Sequence, residues 1–316
     1  ILSKISDSSV KILNYDKVTY AANPKNLSSI ENNSNYSFIK GDICDQKKLT
    51  NTINDFKPDL VINFAAESHV DRSIETPMSF VHTNVVGTTN LLEASFHYYQ
   101  SLENKDNFKF LHISTDEVFG ELDNDGYFNE STPYNPNSPY SASKASSDHF
   151  VRAWSRTFDF PAMISNCSNN FGPFQFPEKL IPLMVIKCMN RQPLPIYGKG
   201  ENVRDWIYVL DHCRAIDCIL DSGCIGETYL IGSENEKKNI EIVNMICNYF
   251  NTHSINTDNF DYLSLINFVQ DRPGHDFRYA IDNSKIKNKL GWKPKYSFKD
   301  ALFETIEWYI ENKDWY

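Results

Sequence analysis

Tyr140-Ser-Ala-Ser-Lys144 places a phenol and an amine four residues apart, on one face of a helix. An ammonium there would favour the phenolate and draw a pKa of about 10 towards neutrality, as a general base requires. The same spacing also suits an ordinary helix start with both side chains in solvent. A second group, Thr115-Asp116-Glu117, follows the apolar run Phe108–Ser114. Two adjacent carboxyls could divide the roles of acid and base, since repulsion and burial keep one protonated while the other ionises. Ser-Thr-Asp runs are also common turn chemistry. In the segment 64–73, Ala65 and Ala66 would let a flat ligand approach the backbone, and Ser68 and His69 add polar contacts; His69 suits a structural, hydrogen-bonded role equally well. Lys179, Arg204, Arg272 and His275 are cations in Pro/Gly-rich stretches. Forked guanidinium groups suit diphosphate oxygens, while any one of these cations alone suits a solvated surface.

These groups need a scaffold, and the order of elements suggests one. Val10–Tyr15, Tyr36–Lys40, Leu60–Ala65, Phe108–Ser114 and Ala162–Cys167 read as strands. They are continuous apolar runs, the pattern of parallel strands covered on both faces. Helices are expected over Lys47–Phe56, Pro77–Gln100 and Ser141–Phe158. This alternation implies right-handed βαβ units, hence an α/β fold with a doubly wound parallel Rossmann-type sheet. Ligands of such sheets sit at the carboxyl ends of the strands, where the acid pair and the alanine pair fall. Asp16 and Asp42-Ile43 also follow strands; an acid there accepts from ribose hydroxyls and favours NAD over NADP, or simply caps the strand end. Beyond Asn169 prolines and glycines interrupt the pattern, implying long shaped loops; Glu227–Gly232 reads as one more strand, and Ile240–Phe250 and Phe298–Tyr309 as helices. The expected division is a dinucleotide-binding part, 1–168 with 209–232, and a smaller α/β substrate lobe, 169–208 with 233–316.

Composition narrows the partners. The 316 residues are 41% hydrophobic and 23% charged, which suits a folded core rather than a disordered chain. A net charge of −10 argues against a nucleic-acid face, though not against a local basic pocket. No apolar stretch approaches a membrane span, and no signal peptide is visible. The seven cysteines form no C-x-x-C pair; they point to reduced thiols in a cytoplasmic enzyme and to no metal site.

Taken jointly, Asp16–Tyr20, Ala65–Ser73, Ser114–Gly120, Tyr140/Lys144, Ser168–Pro182, Leu194–Gly200, Arg204-Asp-Trp206 and Asp271–Asp276 resemble the nucleotide-sugar branch of the extended short-chain dehydrogenases. The Thr-Asp-Glu triplet is similar to that of its 4,6-dehydratases, and Gly198-Lys-Gly200 with Arg204-Asp-Trp206 to the thymidine-nucleotide form. The resemblance implies a lyase that converts dTDP-glucose to its 4-keto-6-deoxy product with tightly held NAD. Tyr140 and Lys144 would serve C4 oxidation, Glu117 would take the C5 proton, Asp116 would protonate the departing 6-hydroxyl, and Thr115 would hold the sugar near O4. Asp16, Lys17, Thr19, Asp42, Ile43, Ala65, Ala66, Thr83, Tyr140, Lys144 and Asn170 would line the NAD side. Ser68, Thr115, Asn169, Lys179, Leu180, Pro195, Tyr197, Arg204, Asn239, Asp271, Arg272 and His275 would line the nucleotide-sugar side. A homodimer paired through the Tyr140 helix and the Pro77–Gln100 helix is implied as well. One departure stands out. The family opens with a strand and a G-x-x-G-x-x-G turn, whereas no glycine precedes Gly41. The expected first strand and glycine turn then lie upstream of Ile1 in a truncated record, with Ile1–Ile5 the end of the first helix. A UDP-hexose 4,6-dehydratase or 4-epimerase on the same scaffold is the alternative, as is an impaired sugar-nucleotide binder should Ile1 be the true start.

Overall fold

The computed structural model describes Lys4, Asp7 and residues 9–316. Apart from Lys4, the helix end expected at Ile1–Ile5 lies outside those residues. The strands are β1 (Ile12–Asp16), β2 (Tyr36–Lys40), β3 (Leu60–Asn63), β4 (Lys109–Thr115), β5 (Ala162–Cys167), β6 (Asn169–Phe171), β7 (Leu194–Tyr197), β8 (Val203–Tyr208), β9 (Thr228–Ile231), β10 (Glu236–Lys238) and β11 (Ile266–Val269). The helices are α1 (Gln46–Phe56), α2 (Val70–Glu75), α3 (Pro77–Phe80), α4 (Thr88–Ser101), α5 (Pro139–Phe158), α6 (Leu180–Met189), α7 (Val209–Ser222), α8 (Asn239–Thr252), α9 (Ser284–Leu290) and α10 (Phe298–Glu311).

The parallel sheet runs in two pieces, β1-β2 and β3-β4-β5-β9, all in parallel register. Among the described residues no strand pairing joins β1 to β3. Helices cover both faces of the larger piece. Leu91, Leu92, Phe110, Val151, Phe160 and Ile164 fill one side, and Leu111, Met163, Ala215, Ile219 and Trp292 the other. Burial on both faces explains why β5 is apolar without period-two alternation. A separate core gathers Phe171, Met184, Trp206, Ile246, Phe250, Leu302 and Tyr309.

The loop reading of the second half is corrected at three places. α6 is a helix because Leu180–Met189 is apolar on nearly every side, which erases the helical period from the sequence; its Pro182 sits in the first turn, where no backbone donor is lost. β8 is a buried strand between β10 and β6, and α7 follows it without a break. The expected single helix over Pro77–Gln100 contains a wider-pitched π segment, Val81–Gly87, between α3 and α4. Such segments re-aim side chains and recur at functional sites.

Candidate active site

Helix α5 is started by local chemistry. Ser138 caps it, with Ser141 answering in a reciprocal capping box and Pro139 in the first turn. This fixes the phase of the helix, so Tyr140 and Lys144 both turn inward, 8% and 3% exposed. The ordinary solvated helix start is thereby excluded. Lys144 Nζ donates to the Ile113 carbonyl at 2.8 Å, tying the amine to β4.

Strand β4 ends at Thr115, whose Oγ1 accepts from the Glu117 backbone N–H at 3.3 Å and caps the short turn Asp116–Phe119. Gly120 closes that turn at φ +84°, where an added Cβ would stand 2.3 Å from the Asn135 carbonyl. No other residue fits there, so the acid pair is held by a turn with one solution. Asp116 is 1% exposed; Oδ1 takes a 3.3 Å bond from Thr115 Oγ1 and Oδ2 has no partner. Burial, then the charges of Glu117 and Asp205, raise its pKa well above the ordinary carboxyl value. Glu117 is also raised by burial, opposed by the cations Arg272, Lys179 and Arg204. Burial thus raises both carboxyls, Asp116 the more, while nearby cations pull Glu117 back towards ionisation.

Tyr140 departs from expectation. Its phenol is pushed well above the ordinary tyrosine value, first by burial and then by the negative charge of Glu117, while Thr115 favours the phenolate. Lys144 is itself held below the ordinary amine value by burial. Spacing predicted the attraction between the two groups and could not show the cost of drying them.

The loops bring the other candidates to the same place, since Arg272, Lys179 and Arg204 all act on Glu117. Arg272 Nη1 meets Asp71 Oδ1 at 3.1 Å, and the Tyr197 hydroxyl donates to Asp71 Oδ2 at 3.0 Å. His275 Nδ1 lies 2.6 Å from Asp271 Oδ1, and burial pushes its pKa down to about 4. Lys179 Nζ donates to the Ser68 carbonyl at 2.7 Å. Pro195 is in β7 opposite Asn267. Leu180 opens α6 against the second core, and Asn239 opens α8, its N–H bonded to the Asn202 carbonyl. The Asn169 side-chain oxygen is buried without a partner.

Two candidates are engaged otherwise than their residue types suggested, and a third takes the structural role open to it. Arg204 spends Nη1 and Nη2 on the carbonyls of Val203, Asp276 and Phe277 and lies over the Tyr279 ring, so its fork is committed to the protein. Asn170 holds His212 Nδ1 at 2.8 Å and the Ser168 carbonyl at 3.0 Å, a structural link in place of a free ligand group. His69 caps α2 through Nδ1, the structural role.

On the cofactor side, Asp16, Asp42, Ala65, Ala66 and Thr115 stand at or just beyond the carboxyl ends of β1 to β4. Lys17 Nζ pairs with Asp42 Oδ2 at 2.7 Å, Ile43 is buried beneath α1, Thr19 is exposed, and Thr83 is half-buried in the π segment. Sequence reasoning missed Asn84, whose side chain bonds the Glu67 N–H and carbonyl and the Ser143 hydroxyl. It pins the 65–67 loop to α5; its signal, an Asn inside an apolar helical stretch, is faint. Acidic strand ends beside small residues fit the ribose and nicotinamide portion of a dinucleotide.

Comparison with known proteins agrees with this geometry. The family model described as GDP-mannose 4,6 dehydratase matches residues 1–305. A dTDP-glucose 4,6-dehydratase of Xanthomonas campestris pv. campestris is 52% identical over 308 residues, 97% of this chain and 88% of that one. The crystal structure of a Streptomyces venezuelae dTDP-glucose 4,6-dehydratase with NAD bound superposes with a TM-score of 0.90 at 39% identity, covering 99% of this chain and 92% of the other. That of a Bacillus anthracis enzyme of the same name, in complex with NAD, gives 0.87 at 43%, covering 98% and 91%. With half its residues identical over nearly its whole length, and with the acid pair and the Tyr–Lys pair brought together, this chain belongs to the nucleotide-sugar 4,6-dehydratase family.

Proposed function

We propose that this chain dehydrates dTDP-glucose to dTDP-4-keto-6-deoxy-glucose with NAD. The observation that carries the reading is the unequal acid pair: a buried Asp116 with one oxygen unpartnered and its pKa raised well above the ordinary value, beside a Glu117 faced by three cations, next to Tyr140. An epimerase on this scaffold has no use for a carboxylic acid and a carboxylate side by side, whereas removing water from C5 and C6 needs both. Bound NAD would accept a hydride from C4 and return it at C6. Asp16, Lys17, Thr19, Asp42, Ile43, Ala65, Ala66 and Thr83 would hold it, with Asn170 behind them.

Tyr140 takes the proton of the sugar 4-hydroxyl, with Thr115 donating near O4. The ketone formed at C4 acidifies the C5 proton, which passes to Glu117. Asp116 delivers its proton to the 6-hydroxyl, which leaves as water, so the reaction has no net redox change. Arg272, His275, Lys179 and Tyr197 would face the diphosphate and sugar, with Ser68, Asn169, Leu180, Pro195, Asn239 and Asp271 around them and Arg204 supplying a fixed positive field.

The split into 1–168 with 209–232 and 169–208 with 233–316 belongs to this reading and is supported by the separate core around Phe171 and Trp206. A homodimer is supported by exposed apolar residues on the two helical stretches concerned: Met78, Val81 and Val86 on one, Phe150 and Phe158 on the other. A cytoplasmic setting is supported by seven free cysteines, and no helix of the described residues is long and apolar enough to cross a membrane.

The test is turnover of dTDP-glucose and of UDP-glucose with NAD, followed by the absorbance that a 4-keto-6-deoxy product develops in alkali. Product from dTDP-glucose alone is expected. Product from UDP-glucose alone, or isomerisation without loss of water, overturns the assignment.

A further inference from the structure

Behind Lys144, a sealed polar network has no part in the steps above. Asp148 lies one helical turn beyond Lys144, continuing the Tyr140, Lys144 stripe along α5. Its carboxylate is wholly buried, and so is His112 of β4. Oδ2 accepts from the Tyr134 hydroxyl at 2.7 Å, Ser114 Oγ at 2.9 Å and Asn166 Nδ2 at 3.1 Å. Tyr134 in turn accepts from Arg152 at 2.6 Å. An oxygen taking three donors bears no proton itself, and so many donors favour the ionised carboxylate.

The opposite oxygen faces Lys144 through His112. The backbone N–H of Ala65 donates to Asn63 Oδ1 at 3.1 Å, which fixes that amide's orientation. Asn63 Nδ2 then donates to His112 Nδ1, also at 3.1 Å. Burial pushes the His112 pKa down to about 4, so the ring is neutral and carries its single proton on Nε2. That nitrogen lies 3.3 Å from Asp148 Oδ1 and 3.4 Å from Lys144 Nζ. Protonated there, it cannot accept from the lysine, and Asp148 Oδ1, buried without a hydrogen-bond partner, leaves its charge to act on the ammonium across the ring edge.

We propose that Asp148 is a positioning residue, the buried counter-ion that keeps Lys144 protonated through a His112 ring locked in one tautomer. The proposal rests on the dehydratase reading. Other titratable groups facing the amine are Cys167 of β5, a neutral thiol pushed up to about 12, with Tyr140 on its own helix and Asp116 beyond Cys167. Burial works against the charge on Asp148, but His112 first, then Lys144 and the Tyr134 hydroxyl, hold its pKa below the ordinary carboxyl value; the same charge opposes the loss of Lys144's proton.

The test measures kcat and KM across pH for Asp148→Asn in the full chain with NAD and dTDP-glucose. Without the negative charge Lys144 loses its proton first, so the alkaline limb of kcat should fall by about one pH unit or more. The neutral-pH rate should drop at least roughly tenfold, with KM within about threefold. Tyr134→Phe removes a donor but not the charge and should leave the limb in place, although it loosens the same network. A melting cycle needs no turnover: Lys144→Met strands a buried carboxylate, and adding Asp148→Asn should recover part of the lost melting temperature. The proposal is overturned by an unmoved limb in Asp148→Asn. It is equally overturned by Asp148→Asn costing as much in the Lys144→Met background as in the native chain. Should the native chain fail to turn over dTDP-glucose, the functional reading falls while the melting cycle still decides the pairing.

Discussion

The end of β4 with α5, and the region where Arg272 and His275 of one loop meet Asp71 of α2, both border the same carboxylate, Glu117, but are built on opposite plans. In the first region the polar groups are dry and mostly partnered: Lys144, His112, Ser114 and Asp148 are all below 5% exposed. In the second, partly exposed groups are paired, as in the Arg272–Asp71 ion pair, open to exchange for a ligand's oxygens. Proton transfer needs fixed positions and shifted pKa values, which dryness supplies. Binding a diphosphate needs cations whose existing partners can be displaced, which exposure supplies.

The contrast can be broken by substitution. Tyr140→Phe should cost about 10²–10⁴-fold in kcat with little change in KM, read from the alkali-developed absorbance. Glu117→Gln should cost a comparable factor but stall one step later, so absorbance of reduced nicotinamide should accumulate on the protein; blockage at the same step as Tyr140→Phe would refute the division of roles. In the loop region Asp71→Asn frees Arg272 and Tyr197 together, and KM for the nucleotide sugar should rise about tenfold while kcat stays within about twofold. A fall in kcat as large as that of the Tyr140 variant would erase the distinction between the regions.

Two smaller effects sharpen it through pH. Asp116 has a raised pKa in the fold, so its burial costs nothing below the ordinary carboxyl pKa and costs progressively more as pH rises above it. Asp116→Asn should therefore melt higher than the native chain at neutral pH, by about 1–3 kcal/mol, and the gain should vanish in mild acid. A gain that persists in acid would assign the effect to packing. The acid limb of kcat should lie above the ordinary carboxyl range, because Glu117 is raised and must ionise to act. Weakening the loop cations, as in Arg272→Gln, should move it higher still.

Much of the dry region was legible in the chain itself. The apolar run of β4, the Ser138-Pro139 start of α5 and the i, i+4 spacing of Tyr140 and Lys144 depend on neighbours within a turn or two, and such interactions are written in local sequence. His112 lay unremarked inside the run Phe108–Ser114, and Asp148 passed as one more polar residue in a helix, because their meaning lies in each other across 36 residues of chain. The rise in the Tyr140 pKa was likewise hidden, since spacing reports a neighbour's charge and not the water removed from around it.

In the second half, β6, β7, β8, β10 and β11 have three to six residues each and pair with strands remote in the chain, as β11 does with β7. So short a stretch carries no period to read, and its partner is chosen by packing. Arg204 shows the consequence: composition marked it as a cation for phosphates, and the fold spent its fork on backbone carbonyls and an aromatic face. The sequence alone determined the fold class, the acid pair and the tyrosine–lysine pair, because each rests on covalent neighbours and helical or strand period, while the family was legible only through resemblance of whole segments. The tertiary structure alone decided how deeply each carboxyl is buried, which cations lie near Glu117 and what stands behind Lys144. Those outcomes depend on burial and on the field of groups that only the folded chain brings within a few ångströms.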